Sequence, residues 1–311
     1  MTLEVKNINK HYGAKQVLKN ISFEATSGRA MGLLGRNGHG KSTTMKILMG
    51  IIAGDDREQI SLDGRPLRLY RIKFGYLPEE RGLYPKVPVL EQMVYFGRLR
   101  GMTADEAKKS STDFLEKLEM TEYIKKKANA LSKGNQQKIQ LAIALLNNPD
   151  IIILDEPFSG LDPINAKMMQ DVITENAQNN KIIIFSSHQM AQVEEFCQDI
   201  CIIKHGEVMV KGSLQEIKHT YPKNKILVTA ELGEEDKLKT VLDGSLAPFI
   251  VRYDRRPNGD FILRTTHDDD KNRIVNRLIT SGVSIDAVSV LRPTLLEIFL
   301  EKAGEETHEG A

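Results

Sequence analysis

Gly35-Arg36-Asn37-Gly38-His39-Gly40-Lys41-Ser42 decides how the rest of the chain is read. It fills every fixed position of the phosphate-binding pattern G-x-x-x-x-G-K-S/T. The glycines let the backbone turn tightly and aim successive N–H groups at a polyphosphate. Lys41 adds a point charge toward the outer phosphates, and the Ser42 hydroxyl suits a magnesium ion. The flanks agree. Residues 29–35 form a short apolar run that reads as a buried strand, and Thr43 to Met49 read as the following helix. A phosphate then rests on the positive N-terminus of that helix.

The chain has 311 residues, enough for a full core and two domains. Its net charge of +1 gives no bulk attraction to nucleic acid, so no such partner is expected. Cys197 and Cys201 lie four apart with no second Cys/His pair to complete a metal site. A metal half-site is one reading; two buried free thiols in a reducing compartment is the better one. The first residues lack the apolar segment of a signal peptide, and no apolar run approaches membrane-spanning length. These features predict a cytoplasmic protein with no membrane span.

A second chemical feature lies downstream. Ile151-Ile-Ile-Leu-Asp155-Glu156 is a continuous apolar strand ending in two carboxylates. Such a run suits a parallel strand buried on both faces, whose functional atoms sit at its carboxyl end. There Asp155 can hold the magnesium and Glu156 can orient and deprotonate the attacking water. Shortly before it, Leu131-Ser132-Lys133-Gly134-Asn135-Gln-Gln137 precedes an apolar helix, with Ser132 as N-cap.

Taken in order, these features resemble the nucleotide-binding subunits of ABC transporters, within the P-loop NTPases. The family signature Leu-Ser-Gly-Gly-Gln is matched at Leu131, Ser132 and Gly134, while Lys133 and Asn135 depart from it. Phe158-Ser-Gly-Leu-Asp162 stands where that family has a dimer-contact loop, His188 where it has a switch histidine, and Tyr12 where an aromatic ring stacks on adenine. The resemblance implies ATP and Mg2+ as ligands and a head-to-tail dimer, homo- or heteromeric, that sandwiches two ATP molecules. Tyr12, Gly35 through Thr43, Ser132 and Gly134 then bind nucleotide, with Lys41, Glu156 and His188 carrying catalysis. Ser42, Asp155 and Glu79 are the metal candidates. Glu79 occupies the position of a family glutamine. An ionised glutamate offers only acceptors there, and Glu80 is its neighbouring rival. A solvated loop residue is an equal reading of Glu79.

The implied fold class is α/β: a nucleotide-binding domain with a mixed sheet core plus antiparallel β and helical subdomains, then a small α+β domain. The ATPase domain is placed at 1–220, its helical subdomain at about 89–148, the accessory domain at 221–304 and a polar tail at 305–311. Strands and helices in the accessory domain alternate as β-α-β-β-α-β, with a Pro-Asn-Gly hairpin turn at 257–259, which predicts a split βαβ sandwich. The Pro/Gly-rich loop from Arg81 to Pro88 is a candidate partner contact.

The chain thus reads as a motor without a pore. Resemblance places it with bacterial sodium-efflux and drug-resistance exporters: an ATPase at the inner face of the cell membrane, working on a separate transmembrane permease subunit. The alternative is a non-transport ABC ATPase acting on ribosomes or DNA. Those proteins carry two cassettes or a long coiled-coil insertion, and this chain has one cassette, no heptad insertion and no basic tract. A metabolic kinase leaves the signature and dimer loop unexplained.

Overall fold

The computed structural model describes residues 1–55, 59–80, 82–222 and 224–303. Arg81 of the Pro/Gly-rich loop, Lys223 and the polar tail lie outside the described residues. The described chain divides into two compact units, Met1–Leu214 with residues 299–303, and Gln215–Ile298.

In the first unit β1 (Thr2–Tyr12) and β2 (Lys15–Thr26) form a hairpin, β3 (Ala30–Leu34) enters the core and α1 (Lys41–Leu48) follows the phosphate loop. Then β4 (Gln59–Leu62) and β5 (Arg65–Pro66) rejoin the hairpin, giving a four-stranded antiparallel sheet of order β2-β1-β4-β5. Next come β6 (Phe74–Leu77) and three helices, α2 (Val89–Leu99), α3 (Ala104–Lys117) and α4 (Lys133–Leu145). The chain returns through β7 (Ile151–Leu154), α5 (Pro163–Gln178), β8 (Ile182–Ser187), α6 (Met190–Phe196), β9 (Asp199–Lys204) and β10 (Glu207–Ser213).

The central sheet has the order β10-β9-β3-β8-β7-β6. All its neighbours pair in parallel except the edge strand β10. Every residue of β3, β7 and β8 is buried. On one face Met31, Leu33, Ile151, Ile153, Ile182 and Ile184 join Met45 and Leu48 of α1 and the apolar face of the hairpin. On the other, Phe185 meets Phe158 and Phe196 edge-on or tilted. Cover on both faces explains why these strands are uniformly apolar rather than alternating. It also settles the cysteines. Both are free and buried; burial pushes the Cys201 thiol up to about 12 and the Cys197 thiol well above its usual value.

The helical part is built around α4. Leu131 and the signature residues lead into it, and every residue from Gln137 to Leu145 is buried, polar Gln137, Lys138 and Gln140 included. Periodicity predicts one apolar stripe, but α4 packs against β6, α2, α3 and α5 and has no solvent face over that stretch. Its neighbour α3 starts with a reciprocal cap, in which Thr103 Oγ1 accepts from the Glu106 N–H at 3.3 Å and Glu106 Oε2 accepts from the Thr103 N–H at 2.8 Å.

The second unit runs through α7 (Leu214–His219), β11 (Lys225–Ala230), α8 (Glu235–Asp243), β12 (Ile250–Arg255), β13 (Phe261–Thr265), α9 (Asp270–Thr280) and β14 (Ile285–Leu291), and α10 (Leu295–Ala303) closes the described chain. Its sheet has the order β12-β13-β11-β14 and is antiparallel throughout, which is the split βαβ arrangement. Ile226, Val228, Phe261 and Leu263 form one core with Leu238 and Leu242 of α8 and Ile274 and Leu278 of α9.

One contact sets how closely α4 lies on the sheet. A Cβ at Gly75 of β6 meets the Ala144 carbonyl oxygen at 2.5 Å and Pro149 Cγ at 2.9 Å. Gly75→Ala is therefore expected to cost about 1–3 kcal/mol of stability, read from urea unfolding, because backbone on one side and a ring on the other cannot yield. A variant within about 0.5 kcal/mol of the parent contradicts this close approach.

Candidate functional site

The phosphate loop leaves β3 with its backbone pressed against another strand. A Cβ at Gly35 meets the Ile203 carbonyl oxygen at 2.3 Å, so only glycine fits there. Gly40, at φ 104, caps α1 without a side chain, and Thr44 donates back to its carbonyl at 2.9 Å. The first N–H groups of α1 have no intrahelical acceptors and point into the loop. Arg36, Asn37 and Gly38 are exposed, while Ser42 and Thr43 are half-buried in the first turn. The His39 ring lies 4.8 Å from the His205 ring. Burial holds its imidazole below the ordinary value. His205, Lys41 and Arg36 add to this, and a hydrogen bond to the Ile203 carbonyl opposes it.

Lys41 is only 5% exposed and turns back along the loop. Its Nζ donates to the Gly35 carbonyl at 2.8 Å and stands 3.6 Å from Glu156 Oε1. Glu156 is 6% exposed, and its other oxygen, Oε2, meets His188 Nδ1 at 3.0 Å. Oε1 is buried without a hydrogen-bond donor. The Glu156 backbone sits at φ 50, in the left-handed region that costs a non-glycine residue about 1–3 kcal/mol. Strain at a buried carboxylate beside a phosphate loop persists only where surrounding contacts impose it. Here the contacts are visible: the Glu156 N–H donates to Ser186 Oγ at 2.9 Å, and that hydroxyl donates to Asp155 Oδ1 at 2.5 Å.

Lys41, Asp155, Glu156 and His188 thus converge where the loop meets the ends of β7 and β8. Glu79 is exposed two residues beyond β6. Nearby, the Tyr76 phenol is pushed up to about 12 by burial and then by the charges of Asp155 and Glu79. Sequence reasoning singles out His188 and passes over Ser186 and Tyr76. Both lie in strands whose apolar neighbours hide the signal, and a serine or tyrosine there reads as ordinary strand.

The remaining residues stand apart. Tyr12 ends β1 with its ring half exposed and Lys10 Nζ 5.4 Å from the ring centroid. Its strand partner is Lys15, two residues before Val17, whose carbonyl borders Gly40. Ser132 caps α4 by accepting from the Asn135 N–H at 3.2 Å and is itself exposed. Gly134 packs beside Leu161 and Asn165 at the start of α5, where Asp162 is the N-cap. Within one chain the signature residues contact the dimer-type loop rather than the phosphate loop.

Two family models match. "ABC transporter" covers residues 18–159, and "ATP-binding protein DrrA1-3-like, C-terminal domain" covers residues 212–303. The chain is 37% identical to "Uncharacterized ABC transporter ATP-binding protein YhaQ" of Bacillus subtilis (strain 168), over 97% of this chain and 98% of that one. It is 34% identical to "Linearmycin resistance ATP-binding protein LnrL" of the same organism, over 69% and 70%. Among solved structures, "Structure of ATP binding subunit of ABC transporter" superposes with a TM-score of 0.64 at 31% identity, covering 71% of this chain and 93% of that chain. "Dimeric Structure of MJ0796, a Bacterial ABC Transporter Cassette" gives 0.61 at 26%, covering 68% and 98%.

The geometry makes a direct prediction about Ser186. Its hydroxyl serves two buried groups, so Ser186→Ala leaves both the Asp155 carboxylate and the Glu156 N–H short of a partner. The expected loss is about 2 kcal/mol in urea unfolding. Unchanged stability means that neither bond is made in solution.

Proposed function

We propose, from the premise that this chain belongs to the ABC transporter family of ATP-binding proteins and is an ATPase, that it powers export through a separate transmembrane partner. The observation that carries the catalytic part is the buried pair of Lys41 and Glu156, met from the exposed side by His188, against the phosphate loop. Lys41 and the N–H groups at the start of α1 hold the outer phosphates of ATP. Glu156 Oε1, buried and without a donor, takes the proton of the attacking water. His188 fixes the orientation of that carboxylate through Oε2 and faces the γ-phosphate. Tyr12 stacks on adenine. The strain at Glu156 aims the carboxylate rather than letting it relax.

The residues around the loop also fit Mg2+. Ser42, Asp155 and Glu79 offer hard oxygen donors, the type this ion takes. Among the described residues no three His, Cys, Asp or Glu side chains form a metal cluster. That suits an ion held by one or two carboxylates together with substrate phosphates. When bound, Mg2+ neutralises phosphate charge during transfer.

Beyond capping α4 and packing on Leu161 and Asn165, Ser132 and Gly134 stand at the start of α4, which offers a second anion site. On our reading it meets the nucleotide of a second ATPase subunit, the same chain or a related one. ATP joins the two half-sites, and loss of phosphate releases them.

Export is favoured by a relative named "Nod factor export ATP-binding protein I", of Burkholderia orbicola (strain AU 1054), 35% identical over 68% of this chain and 70% of that one. Among the described residues no helix is long and apolar enough to cross a membrane, and on our reading a separate chain supplies the pore. The surface we assign to that partner lies on α2 and the loop before it. Tyr84 and Tyr95 are about half exposed there, and Tyr84 stacks on Phe96 with ring centroids 5.9 Å apart. Gln92 fixes the loop, accepting from the Tyr84 N–H and donating to the Val87 carbonyl, each at 3.1 Å. Residues 1–220 are then the motor and 221–304 an accessory domain, working in the cytoplasm at the inner face of the membrane.

Lys41→Ala is expected to abolish productive ATP binding, and normal hydrolysis by that variant removes the site assignment. Glu156→Gln is expected to bind ATP, to lose about 10²–10⁴-fold in turnover and to accumulate as an ATP-bound dimer on size exclusion. Unchanged turnover removes the base assignment. Affinity purification of the same variant from its own cells, with ATP and mild detergent, tests transport. A co-purifying polytopic membrane protein supports export; ribosomes or nucleic acid without one would replace it.

A further inference from the structure

Two buried glutamines lie three residues apart on one face of α4, and both reach functional loops. Gln137 Nε2 donates to the Pro157 carbonyl at 3.2 Å, on the residue after Glu156. Gln140 Nε2 donates to the Glu80 carbonyl at 3.3 Å, on the residue after Glu79. Each side chain is more than nine-tenths buried. One helix thus holds the segments that follow both candidate carboxylates.

Gln140 is the more informative. Its Oε1 is buried with no hydrogen-bond partner, so its amide is only half satisfied. A leucine or methionine at this buried position carries no such penalty. Packing therefore gives no reason for an amide here, whereas a bond to the loop does. The rest of the connection is rigid, because the Gly75–Ala144 contact locks β6 to α4 just before the loop begins. Pro78-Glu79-Glu80 leaves that locked strand, and the Gln140 bond is the next fixed point along it.

We infer that Gln140 is a positioning residue. By holding the Glu80 carbonyl to α4, it keeps Glu79 where its carboxylate reaches the metal position beside Asp155. The inference rests on the reading of Glu79 as a metal group given above. It also ties that group to the helix whose start carries Ser132 and Gly134.

Titration of Mg2+ into the full chain saturated with ADP, followed by calorimetry, tests this without turnover. Four proteins suffice: the parent, Gln140→Met, Glu79→Gln and the double variant. Gln140→Met is expected to weaken Mg2+ about tenfold, as loss of an outer-shell partner does. Metal-free ADP binding should stay unchanged, and the double variant should be no weaker than Glu79→Gln alone. Gln140→Leu, which also lacks the donor, should match Gln140→Met, and parental thermal stability in either guards against a folding failure. Parental Mg2+ affinity in Gln140→Met beside a weakened Glu79→Gln overturns this inference alone. So do additive losses in the double variant, or a fall in metal-free ADP binding that tracks lowered thermal stability. Parental affinity in Glu79→Gln overturns the metal reading of Glu79 itself.

Discussion

The first unit depends on keeping charge inside protein without leaving it alone. Lys41, Asp155 and Glu156 are each at most 6% exposed. A buried charge is tolerable only when paired or hydrogen-bonded. Here the pairing runs across the fold: the lysine comes from the start of α1, the carboxylates from the end of β7, the serine and histidine from the end of β8. Lys41 bonds the Gly35 carbonyl of its own loop, but Asp155 and Glu156 meet Ser186 and His188 only when β7 and β8 lie side by side, and Glu156 meets Lys41 only when β3 joins them. Pairing the carboxylates and assembling the sheet are therefore linked. The strained backbone of Glu156 is held by the hydroxyl that also holds Asp155.

The layers around the sheet follow from that demand. Strands that bring charges to one end must be apolar along their length, and cover on both faces makes uniform runs such as Ile151 to Leu154 possible. Ends rather than faces are left for chemistry, and loops there carry the polar residues. The antiparallel sheet and α1 close one side, and the aromatic cluster of Phe158, Phe185 and Phe196 closes the other.

Much of this was legible because some residues act through local backbone geometry. The phosphate loop, the Ser132 cap and the hairpin at 257–259 are each set by a few neighbouring residues. The β-α-β-β-α-β order of the second unit could likewise be read from alternation and turns, since a short hairpin forces its two strands together. What sequence hid was set by distant partners. The all-round burial of α4 arises from three other helices and a strand, and periodicity within α4 cannot report them. Ser186 and Tyr76 matter for what stands across from them. Gln140 looks like an ordinary helix former until the loop carbonyl beside it is located.

The two cysteines have a practical side. Both are buried in the first unit, with thiols far less acidic than usual, and the chain has no others. Reagents that need an accessible thiolate find none in the native fold. The natural chain is in effect a blank background for labelling. A single cysteine introduced on an exposed residue, Leu99 of α2 for instance, would carry a spin or fluorescent reporter with neither native cysteine removed.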